Sequence, residues 1–169
     1  MAQRILIAFY SRSGMTRKIA EALAAQLKCD VEEIVAREGH AGFAGILRSL
    51  IGAMRHRPAQ IAPTSRDPSS YDLVVIGTPV WAWSVSSPIR AYLMQHANKL
   101  PQVAFFCTMG GRGDKGTFVQ MQALAGKIPR AQAAFTTQEV VEARFAPKLA
   151  AFVQALGSPG SSTNDRRAA

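Results

Sequence analysis

At 169 residues, 48% of them hydrophobic and 18% charged, the chain is sized for one globular domain with a substantial core, which argues against a disordered protein. No apolar run approaches the roughly 20 residues that a membrane-spanning helix needs. The 20 basic against 11 acidic residues give a net charge of +9, but without a basic run interleaved with aromatics or any zinc spacing the charge points to an anionic partner other than nucleic acid.

The first element is the apolar run Ile5–Phe9, followed by Tyr10, which reads as a strand buried on both faces. It stops in the turn Ser11-Arg12-Ser13-Gly14-Met15-Thr16, where three hydroxyls surround one glycine at the start of a helix. Two readings are open for this turn. It is a phosphate cradle, in which unpaired helix N–H groups and hydroxyls act as donors, or an ordinary strand-to-helix turn with Ser13 as the N-cap. Ile19, Leu23 and Leu27 then recur at helical spacing, with Arg17, Lys18, Glu21 and Gln26 left for solvent, and a second strand is expected near Val31 to Val35.

After Gly39 and Gly42, the residues Phe43, Ile46, Leu47, Leu50 and Met54 share a helical face, with Arg48 and Arg55 well away from it. Pro58 closes this extra basic helix. Leu73-Val74-Val75-Ile76-Gly77 is continuous in apolar character and is expected to be a central strand. It runs into a loop, Thr78-Pro79-Val80-Trp81-Ala82-Trp83-Ser84. Ser87-Pro88 then signals the start of a helix through Ile89, Tyr92, Leu93 and His96. Val103–Cys107 is the fourth strand, ending in Thr108-Met109-Gly110-Gly111-Arg112-Gly113. A helix around Phe118, Met121 and Leu124 precedes a strand near Ala131 to Thr137. The last helix is expected from about Glu139 to Leu156, kinked or restarted at Pro147. Residues 157–169 lack apolar anchors and read as a flexible tail, so the domain is expected over 1–156.

Five buried strands alternating with helices predict a doubly wound α/β fold with a parallel sheet. In such sheets ligands bind at the carboxyl ends of the strands, where strand order reverses. The three unusual stretches all follow strands: a hydroxyl turn, an aromatic loop and a glycine loop. Together they suit a phosphorylated planar molecule. Cys29 and Cys107 are far apart, and His40, His56 and His96 are scattered, so no metal site, catalytic triad or nucleophile-base pair is expected. Cys107 reads as an inert buried thiol, Tyr10 as core and Trp83 as packing at the loop edge. The chain enters its first strand from Met1-Ala2-Gln3-Arg4 without a signal-peptide pattern, so a cytoplasmic protein with free thiols is expected.

These motifs resemble the flavodoxin family over about residues 4 to 156. Its first loop has the form Ser/Thr-x-Thr/Ser-Gly-x-Thr, which Ser11 to Thr16 match; its second commonly carries Pro79- and Trp81-like residues; its third corresponds to Thr108 to Gly113. The resemblance implies a five-stranded sheet of order 2-1-3-4-5, with the extra helix between the second and third strands, and FMN as cofactor. It implies that Ser11, Arg12, Ser13, Gly14, Met15 and Thr16 hold the FMN phosphate. Trp81, with Thr78, Pro79, Val80 and Ala82, would stack on the ring, and Thr108, Met109, Gly110, Gly111 and Gly113 would meet its edge. The third loop lacks the ring that many flavodoxins carry there, which leaves one flavin face open to a nicotinamide or quinone. Electron-carrying flavodoxins are usually acidic, whereas this chain is basic. The expected function is an FMN-binding oxidoreductase passing electrons from NAD(P)H or a reductase to a quinone or similar acceptor. The alternatives are an FMN electron carrier docking on a protein partner through Phe43 to Arg57, or a flavin-free structural module.

Overall fold

The runs without polar interruption lie side by side in the middle of the sheet. In the computed structural model, which describes residues 3–37 and 59–157, β1 (Ile5–Phe9) pairs with β3 (Leu73–Trp81) in parallel, Ile7 opposite Val75. On its other edge β1 pairs with β2 (Asp30–Glu33), Ile7 opposite Val31. β3 pairs onward with β5 (Gln102–Met109), and β5 with β6 (Gln132–Thr136), all parallel. The order β2-β1-β3-β5-β6 is the expected 2-1-3-4-5, with one further strand numbered between. That strand, β4 (Ser84–Val85), pairs antiparallel with the end of β3 and lies off the main path.

Six consecutive residues of β3, Leu73 to Thr78, are buried, as a strand covered on both faces requires. Side chains alternate between two cores. Leu6, Val74, Ile76 and Phe105 face α2 (Ser87–His96) and α3 (Asp114–Ala125), meeting Ile89, Tyr92, Phe118 and Met121. Ile7, Phe9, Val75 and Phe106 face α1 (Met15–Leu27) and the last helix, meeting Ile19, Leu23, Leu149 and Phe152. Each such large side chain contributes roughly 1.5–3 kcal/mol on burial, so the two-sided strands dominate the core.

Gly77 has a packing reason to be glycine. A Cβ there would sit 2.1 Å from Cζ of Phe106, its register partner on β5. The ring of Phe106 occupies the space that a side chain on β3 would need.

Several boundaries differ from expectation. β2 ends at Glu33, and Val35 is exposed: after the Ile34 N–H bonds to the Phe9 carbonyl at 2.7 Å the chain leaves β1, and the Val35 carbonyl accepts from the Ala62 N–H at 2.8 Å. The N-cap of α2 is Ser86, and Pro88 falls in the first turn, where its missing N–H costs nothing. The expected single last helix is two, α4 (Thr137–Val141) and α5 (Ala146–Gly157). Pro147 enters the second at its start, after a left-handed Ala143 (φ 56°), so the chain restarts instead of bending. The start of α4 is fixed by a capping box in which Thr136 and Glu139 bond reciprocally. The expected basic helix of Phe43 to Arg57 and the tail after Gly157 lie outside the described residues. Among the described residues no helix is long and apolar enough to cross a membrane.

Candidate functional site

β1 and β3 leave the sheet's reversal point side by side, since the chain goes from β1 outward to β2 and returns on the other side as β3. The Ser11–Thr16 turn follows β1. Its N-cap is Gly14, at φ +86°, and not Ser13; no side chain caps α1. The Gly14 N–H donates to Ser11 Oγ at 3.1 Å. A Cβ at Gly14 would meet nothing within 4 Å, so the backbone angle alone calls for glycine. The first intrahelical bond is that from Lys18 N–H to Gly14, which leaves the N–H groups of the first turn without helical acceptors. Ser13 and Arg12 are exposed beside them. This helix end is uncapped, carries the positive end of the helix dipole and is flanked by hydroxyls, which fits a phosphate.

Thr16 behaves differently from the other two hydroxyl residues. It is buried, and its Oγ1 lies 2.8 Å from Oγ1 of Thr108, with either able to donate. The hydroxyl therefore spends one bond tying the first turn to the end of β5.

The second stretch is not the irregular loop expected. β3 continues through Thr78, Pro79, Val80 and Trp81, then reverses through Ala82 and Trp83 into β4, with Trp81 opposite Ser84. Both turn residues are left-handed, at φ 46° and 66°. Two-residue hairpin turns need that geometry, but normally use Asn or Gly to reach it; other residues bear about 1–2 kcal/mol each. Trp81 is half-buried, and its ring meets that of Tyr10 edge-on, with centroids 5.5 Å apart and planes at 89°. Tyr10 packs at the margin of the core, as expected. Trp83 is 59% exposed. Thr78, expected among the ligand-binding residues, has no exposed surface. Its hydroxyl donates toward Ser86 Oγ at 2.9 Å and accepts the Ser86 N–H at 3.1 Å, so it supports the hairpin from beneath.

The third stretch leaves β5 at Met109. Thr108 is buried, Met109 half-buried, and Gly110, Gly111 and Arg112 are exposed. A Cβ at Gly110 or Gly111 would meet nothing within 4 Å, so these two open onto free space that a flat molecule can approach. Gly113 is different. It is the N-cap of α3 at φ +108°, and a Cβ there would sit 2.8 Å from Val80 Cγ1 and 3.3 Å from Trp83 Cα. Glycine here lets the third loop pass against the hairpin. The three stretches thus meet, joined by Thr16 to Thr108, Tyr10 to Trp81, and Gly113 to Trp83.

Sequence reasoning missed one part of this assembly. Arg90 on α2, Gln120 on α3 and Ser84 on β4 form a polar cluster behind the hairpin, with Arg90 Nη2 donating to Gln120 Oε1 at 2.9 Å and to Ser84 Oγ at 3.2 Å. No spacing could have announced a contact between residues 36 positions apart.

Cys107 is fully buried on β5, and burial pushes its thiol up to about 12, while Cys29 is raised to about 11, also mainly by burial. Both are free thiols, and Cys107 has the inert character expected of it. Among the described residues no cluster of acidic, histidine and cysteine side chains could hold a metal.

A doubly wound parallel sheet with an uncapped helix end, an aromatic hairpin and an open glycine loop at its reversal point defines a mononucleotide-binding α/β protein. The chain matches the family model described as Flavodoxin over residues 4–145, and it belongs to the flavodoxin family. A solved flavoprotein from Lactobacillus acidophilus NCFM, in complex with FMN, is 28% identical with a TM-score of 0.63, over 83% of this chain and 98% of that one. The apo-form of the L. acidophilus flavoprotein gives 26% identity and a TM-score of 0.58, over 84% and 97%. The Trp repressor binding protein of Bacillus subtilis shares the fold at 11% identity, with a TM-score of 0.58 over 92% of this chain and 100% of that one. No curated protein matches the chain.

Proposed function

We propose that this flavodoxin-family protein is an FMN-binding oxidoreductase that takes electrons from NAD(P)H or a reductase and passes them to a quinone or similar acceptor. The observation that carries the reading is the convergence of three stretches at the reversal point, each suited to a different part of FMN. The uncapped first turn of α1, with Ser11 and Ser13, would hold the phosphate through N–H and O–H donors, and Arg12 stands beside it. Trp81, held edge-on by Tyr10, presents an aromatic surface to the ring. The open backbone of Gly110 and Gly111 gives room for the ring's polar edge to approach N–H and C=O groups. When bound, FMN supplies the hydride and electron chemistry.

The chain's own part is to orient that group and leave a face accessible. Thr108, Met109, Gly110 and Gly111 place no aromatic side chain over the third loop, which supports direct access by a small flat donor or acceptor. The experiment is anaerobic mixing of the FMN-loaded protein with NADPH or NADH, followed by a quinone. Bleaching by the nucleotide and recovery on adding quinone is expected. Absence of bleaching with both nucleotides would remove the enzymatic reading.

A second reading, an electron carrier docking on an acidic protein, is favoured by the net charge of +9 and by the exposed Arg12, Arg112 and Lys115 around the loops. Reduction by a reductase that slows steeply with salt, without reduction by free nucleotides, would select it.

A further inference from the structure

The Ala82–Trp83 turn contains no residue that favours its own conformation. Both residues are left-handed, and neither is the glycine or asparagine that such turns ordinarily use. A turn of this kind persists when its surroundings hold it, and strain of this kind gathers at functional sites.

The surroundings are specific. Ser84 Oγ donates to Gln120 Oε1 at 2.5 Å, and Arg90 Nη2 donates to the same oxygen at 2.9 Å. With both donors on Oε1, the carboxamide of Gln120 can only turn its Nε2 outward, where it donates to the Trp83 carbonyl at 3.4 Å. One amide thus holds two successive residues, Trp83 and Ser84, where the turn enters β4. Arg90 sets it, and does so with neutral partners: among the described residues no carboxylate stands within ion-pair distance of this guanidinium, and its buried Nε has no partner. Arg90 comes from α2 and Gln120 from α3, so the hairpin is tied to both helices on that face of the sheet. Trp83 also lies close to Gly113 of the third loop, where an added Cβ would sit 3.3 Å from Trp83 Cα.

We propose that Arg90 and Gln120 are positioning residues for the flavin, holding the strained Ala82–Trp83 turn and, through the pairing of Trp81 with Ser84, the indole of Trp81 at the ring site. This rests on the FMN reading above. The clamp touches no part of the phosphate turn, so it acts on the ring and not on the phosphate.

The test uses Gln120→Ala, since Gln120 is half exposed on a helix where alanine is well accommodated. Affinities for FMN and for riboflavin, which lacks the phosphate, are measured by flavin fluorescence. Both are expected to weaken by the same factor, about tenfold. Adding Ala82→Gly, which accepts the left-handed backbone, is expected to recover most of the loss. In the flavin-free protein, amide exchange across residues 81–85 is expected to quicken in Gln120→Ala. Unchanged flavin affinity, a loss confined to FMN, a loss that Ala82→Gly does not recover, or unchanged exchange overturns the proposal while leaving the FMN reading standing. Wild-type protein that binds neither flavin removes the FMN reading, and the positioning role with it, even if exchange quickens.

Discussion

The hydroxyls of Thr16 and Thr108, 92 positions apart, lie 2.8 Å from each other beneath the three loops. Both residues are buried, so neither hydroxyl can turn to bulk solvent instead. Thr108→Val leaves Thr16 Oγ1 without this partner and is expected to cost about 1–3 kcal/mol in urea unfolding. Thr16→Val with Thr108→Val together should cost less than the sum of the two single changes, because no orphaned hydroxyl remains. Strict additivity would show that the bond does not join the first and third loops.

Gly77→Ala would force a Cβ to within 2.1 Å of Phe106, whose ring is fixed in the core on the next strand. Overpacking of this kind is expected to cost about 3 kcal/mol. Phe106→Leu in the same chain should recover part of the loss, since it withdraws the ring. Thermal or urea unfolding of wild type and the two variants decides it: a double variant no more stable than Gly77→Ala would contradict the clash with the ring.

How far these relationships were legible in the sequence depends on their range. Leu73 to Ile76 and Val103 to Cys107 announced central strands, because two-sided burial requires continuous apolar character. Pro147 announced the interruption of the last helix, because its ring and missing N–H act locally. Ser11 to Thr16 announced the first turn, but not that Gly14 would cap the helix or that Thr16 would face inward. The hairpin was hidden because Ala82-Trp83 lacks any turn residue; its geometry is imposed by Gln120 and Arg90 from other elements. Thr78 reads as a loop hydroxyl in sequence because its partner, Ser86, is brought to it only by the hairpin.

The two cysteines should differ in access more than in acidity. Cys107 is fully buried with its thiol raised to about 12, and Cys29 is partly accessible with its thiol raised to about 11. A thiol-reactive reagent at neutral pH is expected to label Cys29 slowly and Cys107 only after unfolding. Rapid labelling of native Cys107 would show that the end of β5 opens, contrary to the packing described.

Glu139 gives a pH signature at the start of α4. The Lys148 ammonium at 2.7 Å, and then the Thr136 N–H, hold its carboxyl below the ordinary value of 4.5. A carboxyl depressed in the folded state contributes stability above its unfolded value, and that contribution disappears as pH falls through the folded value. Glu139→Gln is therefore expected to be less stable than wild type at neutral pH, with the gap closing in acid below pH 4.5. A gap independent of pH would assign the loss to shape and not to charge.

FMN binding at the three loops is tested most directly by titrating flavin-free protein with FMN, followed by its visible spectrum and by quenching of flavin fluorescence. Saturable binding of one FMN per chain is expected, tighter than that of riboflavin because the first turn of α1 adds donors for the phosphate. A chain that quenches no FMN and emerges from gel filtration colourless would contradict it.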